Sequence, residues 1–240
     1  MTDITEFVKI FNRIAVSNSE GTVFSDFLDI SICALSASQY EEEYLTIVKR
    51  YKKEEIELFC ELFARMVIIM DNNGTGLTDC LGEFFQRHLT RGKHGQFFTP
   101  EHVADFMAAI INPEESNKRI LDPACGSGRM LLSVAKINRN NYFFGCDIDS
   151  TCCKMAAINL CLNGMMGEIA WMDSLGGAKY HWGGYGIQYL RTPMRIPVIR
   201  KLAPGEGIII NSPPYKKTQG AEPQFKQTNV ITVTQTKLDF

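Results

Sequence analysis

Ile120-Leu121-Asp122-Pro123-Ala124-Cys125-Gly126-Ser127-Gly128 reads as a short buried strand that breaks into a glycine turn and passes into a helix near Arg129. Glycines at 126 and 128 let the backbone come close to a ligand where a side chain would clash. The same residues also suit a plain strand-to-helix connection, so the downstream residues carry weight. About 20 residues on, Asp147 ends the next apolar run, Tyr142 to Cys146. There an acidic side chain accepts hydrogen bonds from both ribose hydroxyls of an adenosine-containing cofactor. Its alternative use is to cap the following helix, a role that Asp149 and Ser150 already fill. Asp173 ends Ile169-Ala170-Trp171-Met172, placed either to accept from an adenine amino group or to close a turn. A fourth run, Gly207 to Ile210, is expected as a strand ending in Asn211-Ser212-Pro213-Pro214-Tyr215. Proline cannot donate to a sheet ladder. These residues therefore either terminate the strand or form a stiff loop aiming a side-chain acceptor and a proline carbonyl at one spot beside an aromatic ring.

Short strands separated by helices imply a parallel α/β sheet covered by helices, with ligands outside the carboxyl ends of the strands. The N-terminal part reads differently. Phe7, Ile10, Phe11 and Ile14, and then Ile56, Phe59, Leu62, Phe63, Met66 and Val67, recur at helical spacing. The charged run from Glu41 to Glu57 reads as a solvated helix face. The turn formers Asp71 to Gly76 end the long helix, and Leu77 to Leu89 resumes helical periodicity. The expected organisation is a helical domain over residues 1–90 and an α/β core over 91–240.

The bulk properties agree with a globular protein. The 240 residues are 45% hydrophobic and 22% charged, enough for a sizeable core. No apolar run reaches the roughly 18 residues that a membrane span needs, and the first residues lack a signal pattern, so a cytoplasmic protein is expected. Eight cysteines form no CxxC pair and sit mostly in apolar runs, which reads as buried thiols rather than disulfides or zinc. Four scattered histidines add no metal-ligating spacing. A net charge of −2 confines any nucleic-acid contact to a local patch.

The glycine turn, Asp147, Asp173 and the Pro-Pro-Tyr segment occur in the order found in DNA methyltransferases that modify amino groups. Upstream, Gln96-Phe97-Phe98-Thr99-Pro100 and the helix Leu81-Gly82-Glu83-Phe84-Phe85 resemble the corresponding segments of the modification subunits of type I restriction systems. The resemblance, from about residue 77 to 215, is to adenine-N6 DNA methyltransferases. It implies a Rossmann-like class I fold and S-adenosylmethionine as cofactor. It also implies a cofactor site made of Gln96, Phe97, Phe98, Thr99, Pro100, Asp122, Pro123, Ala124, Gly126, Ser127, Gly128, Asp147 and Asp173. Gln96 to Pro100 would pack against the methionine end. The catalytic segment would be Asn211, Ser212, Pro213, Pro214 and Tyr215, with the loop's polar side chain and the Pro213 carbonyl accepting from the target amine and Tyr215 stacking on a flipped base. Neither a metal nor a covalent intermediate is required. Cytosine C5 methylation would call for a Pro-Cys pair, which the sequence lacks.

Relatives that modify adenine read Asn or Asp where this chain has Ser212, and serine there is familiar from N4-cytosine enzymes. With 25 residues after Tyr215 (240 minus 215), the sheet is expected to be incomplete on one side. A specificity or target-recognition partner would then supply what is missing. Between Asp173 and the loop, Gly176 to Gly205 is expected as a basic, aromatic loop. It carries Lys179, Arg191, Arg195, Arg200, Lys201, Tyr180, Trp182, Tyr185 and Tyr189 and no acidic residue. It suits either DNA contact or an ordinary cationic surface. The alternatives to adenine methylation in DNA are a cofactor-binding subunit without turnover, N4-cytosine methylation, and methylation of RNA or of protein glutamine.

Overall fold

The computed structural model describes residues 3–90, 98–190 and 192–211 and the backbone of 230–232. Four helices come first: α1 (Thr5–Ile14), α2 (Glu20–Ala34), α3 (Glu41–Val48) and α4 (Lys53–Asp71). The expected stripes are the ones that pack. Helix α1 buries Phe7, Ile10, Phe11 and Ile14, and α4 buries Phe59, Leu62 and Met66, with Val67 left at the edge. Helix α2 starts at Ser19, whose hydroxyl accepts the Thr22 N–H at 3.2 Å. Helix α4 stops where Asn72 turns left-handed, at φ 46°. The short α5 (Cys80–Phe84) then runs into a π-helical turn, Phe85–Thr90. It is pinned by Phe84, whose ring lies 5.0 Å from Phe7, 4.6 Å from Phe11 and 5.4 Å from Phe24.

After α6 (Glu101–Ile111), the strands β1 (Arg119–Asp122), β2 (Tyr142–Asp147) and β3 (Gly167–Met172) are parallel, joined through α7 (Arg129–Ile137) and α8 (Ser150–Leu162). These are the parallel strands joined by helices that the alternation implied; α7 and α8 pack on one face of the sheet, with Ile120, Phe143 and Ile169. Strand register sets Asp122 against Gly145 and Asp147 against Trp171, so the carboxyl ends of the three strands lie side by side. One apolar core runs from Ile4 through α8 to Ile199, so the helices and the sheet share their buried surface.

Two expectations are corrected. The segment from Gly176 to Gly205 is not a loop: β4 (His181–Tyr189) and β5 (Pro197–Leu202) extend the sheet antiparallel from β3. Its glycines suggested a loop, yet they are what admits the pairing, since a Cβ on Gly184 would lie 2.3 Å from the Ile169 carbonyl oxygen. The second correction concerns Gly207 to Ile210, expected as a strand ending in Asn211-Ser212-Pro213-Pro214-Tyr215. Residues Ile208–Asn211 instead form one helical turn, α9, on the sheet face away from α8. The place beside β1 belongs to β6 (Val230–Thr232), parallel to it, giving the order β5-β4-β3-β2-β1-β6. The physical reason is Glu168, a buried carboxylate on β3 that needs donors and takes them from the Ile208 and Ile209 N–H groups at 2.7 and 3.0 Å.

The outer edge of β5 meets the helices. Ile199 donates its N–H to the Leu35 carbonyl at 2.9 Å, Lys201 donates its N–H to Tyr40 Oη at 2.8 Å, and Lys201 Nζ reaches Glu43 at 2.6 Å. No described helix is long and apolar enough to cross a membrane.

Candidate active site

The glycine turn folds as its residue types dictate. Gly126 and Gly128 hold φ of 53° and 85°, which disfavours any other residue. Cys125 donates its N–H to the Cys146 carbonyl at 2.8 Å, tying the turn to β2. Asp147 clamps the turn further. One carboxylate oxygen accepts the Gly126 N–H at 2.8 Å and the other accepts the Asp149 N–H at 2.9 Å. Asp149 caps α8, accepting the Thr151 N–H at 2.7 Å, so the capping role and the strand-end role fall to different residues.

Asp122 is fully buried. One oxygen accepts the Ala124 N–H at 3.0 Å, and the other meets no partner among the described residues. Burial pushes its carboxyl up to about 7, helped by the nearby Asp147 charge. Burial also raises Asp147, against hydrogen bonds from Asp149 and Gly126 that lower it. Asp173, next along the strand ends, accepts the Leu175 and Gly176 N–H groups at 3.0 and 3.3 Å. Of the three carboxyl groups on adjacent strand ends, Asp122 lies buried beneath the turn, and Asp147 and Asp173 present acceptors suited to the hydroxyl and amino groups of a nucleoside. Ile148, 65% exposed immediately after Asp147, offers an apolar surface to a planar ring.

Phe98 is buried against the turn. A Cβ on Gly126 would lie 3.1 Å from its ring. The Thr99 carbonyl accepts from Arg129 at 3.0 Å, and Pro100 sits exposed at the start of α6. The turn thus brings together Phe98, Thr99, Asp122, Gly126 and Asp147, with Pro123 and Ala124 at its rim. The Ser127 hydroxyl points the other way and donates to Asp79 at 2.5 Å. Gln96, Phe97, Ser212, Pro213, Pro214 and Tyr215 lie outside the described residues. Asn211, expected as the first residue of the catalytic segment, donates its amide to the Gly205 and Gly207 carbonyls at 3.2 and 2.8 Å.

Sequence reasoning missed the hub beneath the turn. Asp79, the N-cap of α5, accepts four bonds: from Gly82 N–H at 2.8 Å, Asn159 at 3.0 Å, Ser127 and Arg129 Nε at 3.0 Å. Arg129 also reaches Glu83 at 3.2 Å. The available signal was the capping pattern Asp79-x-x-Gly82 ahead of the helix. A cleft of about 320 Å³ opens beside this assembly, between Phe24 and Ser25 of α2, Phe85, Leu89 and Thr90 of the π-helical turn, and Asp149 and Thr151 at the start of α8. Cys125, inside the turn, is no nucleophile, because burial pushes its thiol far above the ordinary range.

Comparison with known proteins gives a consistent match. The "Type I restriction enzyme MjaVIII methylase subunit" of Methanocaldococcus jannaschii is 33% identical over 95 residues, covering 36% of this chain and 16% of that protein. The MjaVII methylase subunit of the same organism is 29% identical over 100 residues, covering 38% and 17%. The matched region therefore spans about a sixth of these relatives' length. A crystal structure of a putative class I S-adenosylmethionine-dependent methyltransferase from Listeria monocytogenes overlaps 78% of this chain and 59% of its own, at 17% identity and a TM-score of 0.45. That likeness is too loose to carry an argument. The family model for N-6 DNA Methylase matches residues 78–237, more than half of the chain and all of the strand ends described above. The chain belongs to the N-6 DNA methylase family.

Proposed function

We propose that this chain binds S-adenosylmethionine at the carboxyl ends of β1 to β3 and transfers its methyl group to the N6 amine of adenine in DNA. The observation that carries the reading is the strand-end assembly within a chain of this family. The glycine turn is drawn to Asp147 at 2.8 Å, over an Asp122 that is buried with one oxygen unpartnered among the described residues. The residues fit the cofactor, since Asp147 and Asp173 present carboxyl oxygens at adjacent strand ends that can accept from hydroxyl and amino groups of a nucleoside, beside the exposed apolar side chain of Ile148.

When bound, the cofactor would supply a sulfonium methyl group open to in-line attack by the amine, the carbon–sulfur bond breaking to leave a neutral thioether and the methylated amine giving up a proton to solvent. The chain's own part is positioning and electrostatics. Asp147 accepts from ribose hydroxyls, Ile148 covers one face of the purine, and Asp173 accepts from its amino group. Gln96 to Pro100 flank the methionine end. On this reading, Asn211 to Tyr215 hold the target base, with a polar side chain and the Pro213 carbonyl accepting from its amine.

The helical unit, residues 1–90, braces the transferase core, residues 91–240, through Asp79 and the shared apolar core. A target-recognition subunit completes DNA selection, and the reaction belongs to the cytoplasm. The test is titration calorimetry with S-adenosylmethionine followed by tritiated methyl transfer to unmethylated DNA. Label recovered in N6-methyladenine supports the reading. Binding without transfer, even with a recognition subunit added, would make the chain a cofactor-binding subunit, and absence of binding would end the proposal.

A further inference from the structure

The hairpin that joins β3 to β4 carries exposed apolar side chains that the strand-end assembly does not use. Trp171 and Trp182 are 36% and 39% exposed, and their rings lie 5.5 Å apart at 52°. Tyr180 is half-exposed, and Leu175, in the turn between the two strands, stands almost wholly in solvent. Tryptophan is highly buried on average, so two of them open to solvent in one place mark a surface that a ligand covers.

The rings are held in place. Trp171 donates its indole N–H to the Ile148 carbonyl at 3.0 Å, and strand register sets it beside Asp147 on one side and Gly183 on the other. Gly183 has no side chain to lay over the ring. Its φ of 134°, and the 2.8 Å that a Cβ would leave to the Leu202 carbonyl oxygen, keep that position bare. Tyr180 is fixed likewise. Its carbonyl accepts the Asp173 N–H at 3.1 Å, and its ring packs on Gly176, where a Cβ would come within 2.2 Å of it. The exposed faces are therefore set before a ligand arrives, and they run on from Ile148 and Asp173 at the cofactor end.

Charge decides what fits such a surface. From Ser174 to Gly205 the chain has no acidic residue, and exposed Lys179 stands at the rim of the hairpin, its amine 5.5 Å from the centre of the Tyr180 ring. Flat aromatic faces with a cation at their edge match a nucleotide, whose base is planar and whose phosphate is anionic. A duplex presents phosphates and groove edges rather than base faces, so the matching ligand is a strand with unpaired bases.

We propose that Trp171, Trp182 and Tyr180 form a stacking surface for unpaired bases of a DNA strand, with Lys179 taking a phosphate. The inference rests on the methyltransferase reading, which brings DNA to these strand ends. Neither tryptophan touches a reacting atom. A base drawn out of the duplex leaves its neighbours and its former partner without part of their stacking, and the tryptophan pair replaces that stacking beside the cofactor end.

The test is optical, because these are the two tryptophans of the chain and intrinsic tryptophan emission reports on this surface alone. The 240-residue chain is titrated with oligothymidylate, which has no adenine to methylate, while anisotropy of a labelled copy follows binding separately. Emission is expected to fall as the strand binds. Trp182→Ala is expected to weaken strand affinity about tenfold or more, and Trp182→Phe, which keeps a ring, less than about threefold. Lys179→Ala is expected to lower the logarithmic salt slope of strand binding by about 0.7. Affinity for S-adenosylmethionine, by calorimetry, should be unchanged in all three.

The proposal is overturned if emission is unmoved while anisotropy shows the strand bound, if no strand binds, or if a duplex of the same length binds as tightly and moves emission as much. It is overturned too if S-adenosylmethionine alone quenches the emission and Trp182→Ala loses cofactor affinity, since the rings would then cover the cofactor's purine. A Trp182→Ala chain that loses Tm but keeps its strand affinity would leave the pair as cross-strand packing only. Should that variant fail to fold, wild-type emission and Tyr180→Ala decide on the same criteria. A chain whose emission falls with oligothymidylate but which methylates no DNA keeps the stacking surface and loses the methyltransferase reading. One that methylates DNA with its emission unmoved loses the stacking surface alone.

Discussion

Asp122 and Asp147 stand at equivalent strand ends, yet their surroundings differ. Asp147 has both oxygens hydrogen-bonded to backbone N–H groups, whereas Asp122 has one oxygen bonded and one orphaned in the core. The folded chain therefore keeps a proton on Asp122 up to about pH 7, while an unfolded chain releases it near pH 4. The native state binds more protons across that window, so stability falls as pH rises through it, by on the order of 4 kcal/mol from this group. Asp122→Asn removes the titration. Chemical denaturation at pH 5 and pH 8 should show the difference between variant and wild type moving a few kcal/mol in the variant's favour at the higher pH. Asp147→Ala acts on the ligand instead. Calorimetry should show cofactor affinity weakened about tenfold or more, since one carboxylate both serves the ribose and clamps Gly126.

At the scale of elements, α5 and the glycine turn are one unit joined at Asp79. Gly82 is required where they meet, because a Cβ there would lie 2.2 Å from the Asp79 carboxylate and 2.3 Å from the Ser127 hydroxyl. Gly82→Ala is expected to cost about 3 kcal/mol in urea denaturation and to weaken cofactor binding. Asp79→Ala should cost about 3 kcal/mol, because it removes one of the two carboxylates that pair the buried Arg129 and strips the Ser127 and Asn159 donors of their acceptor. Much of this architecture was legible beforehand. Helical stripes such as Phe7 to Ile14, the three parallel strands and the glycine turn announce themselves through local periodicity and turn chemistry. The hub was not, because Asp79, Ser127 and Asn159 are brought together by packing across 48 and 80 residues of chain, which no local pattern records. Ile208 to Ile210 misled for a related reason. Three β-branched residues favour a strand, and a single carboxylate on β3 overrides that preference.

For the whole molecule, the question is how a chain of net charge −2 meets DNA. The basic stretch over β4 and β5 is less available than its composition implied, since Arg200 is paired with Glu206 and Lys201 with Glu43. Lys179 and Arg195 remain exposed, each lying over a tyrosine ring, Tyr180 and Tyr189. If the methyltransferase reading holds, Lys179→Ala with Arg195→Ala should flatten the salt dependence of DNA affinity by about 2 in logarithmic slope. Arg200→Ala with Lys201→Ala should leave that slope unchanged. Fluorescence anisotropy at several salt concentrations measures both.

The seal on β5 has a consequence beyond packing. A strand at the rim of a sheet is an open invitation to a second sheet, and this one is answered in advance by Leu35 and Tyr40 of the same chain. The first helices thus act as a guard against self-association. A protein cut back to begin after residue 52 would expose that rim and grow by adding strands from its own copies, which light scattering would register as species larger than a monomer.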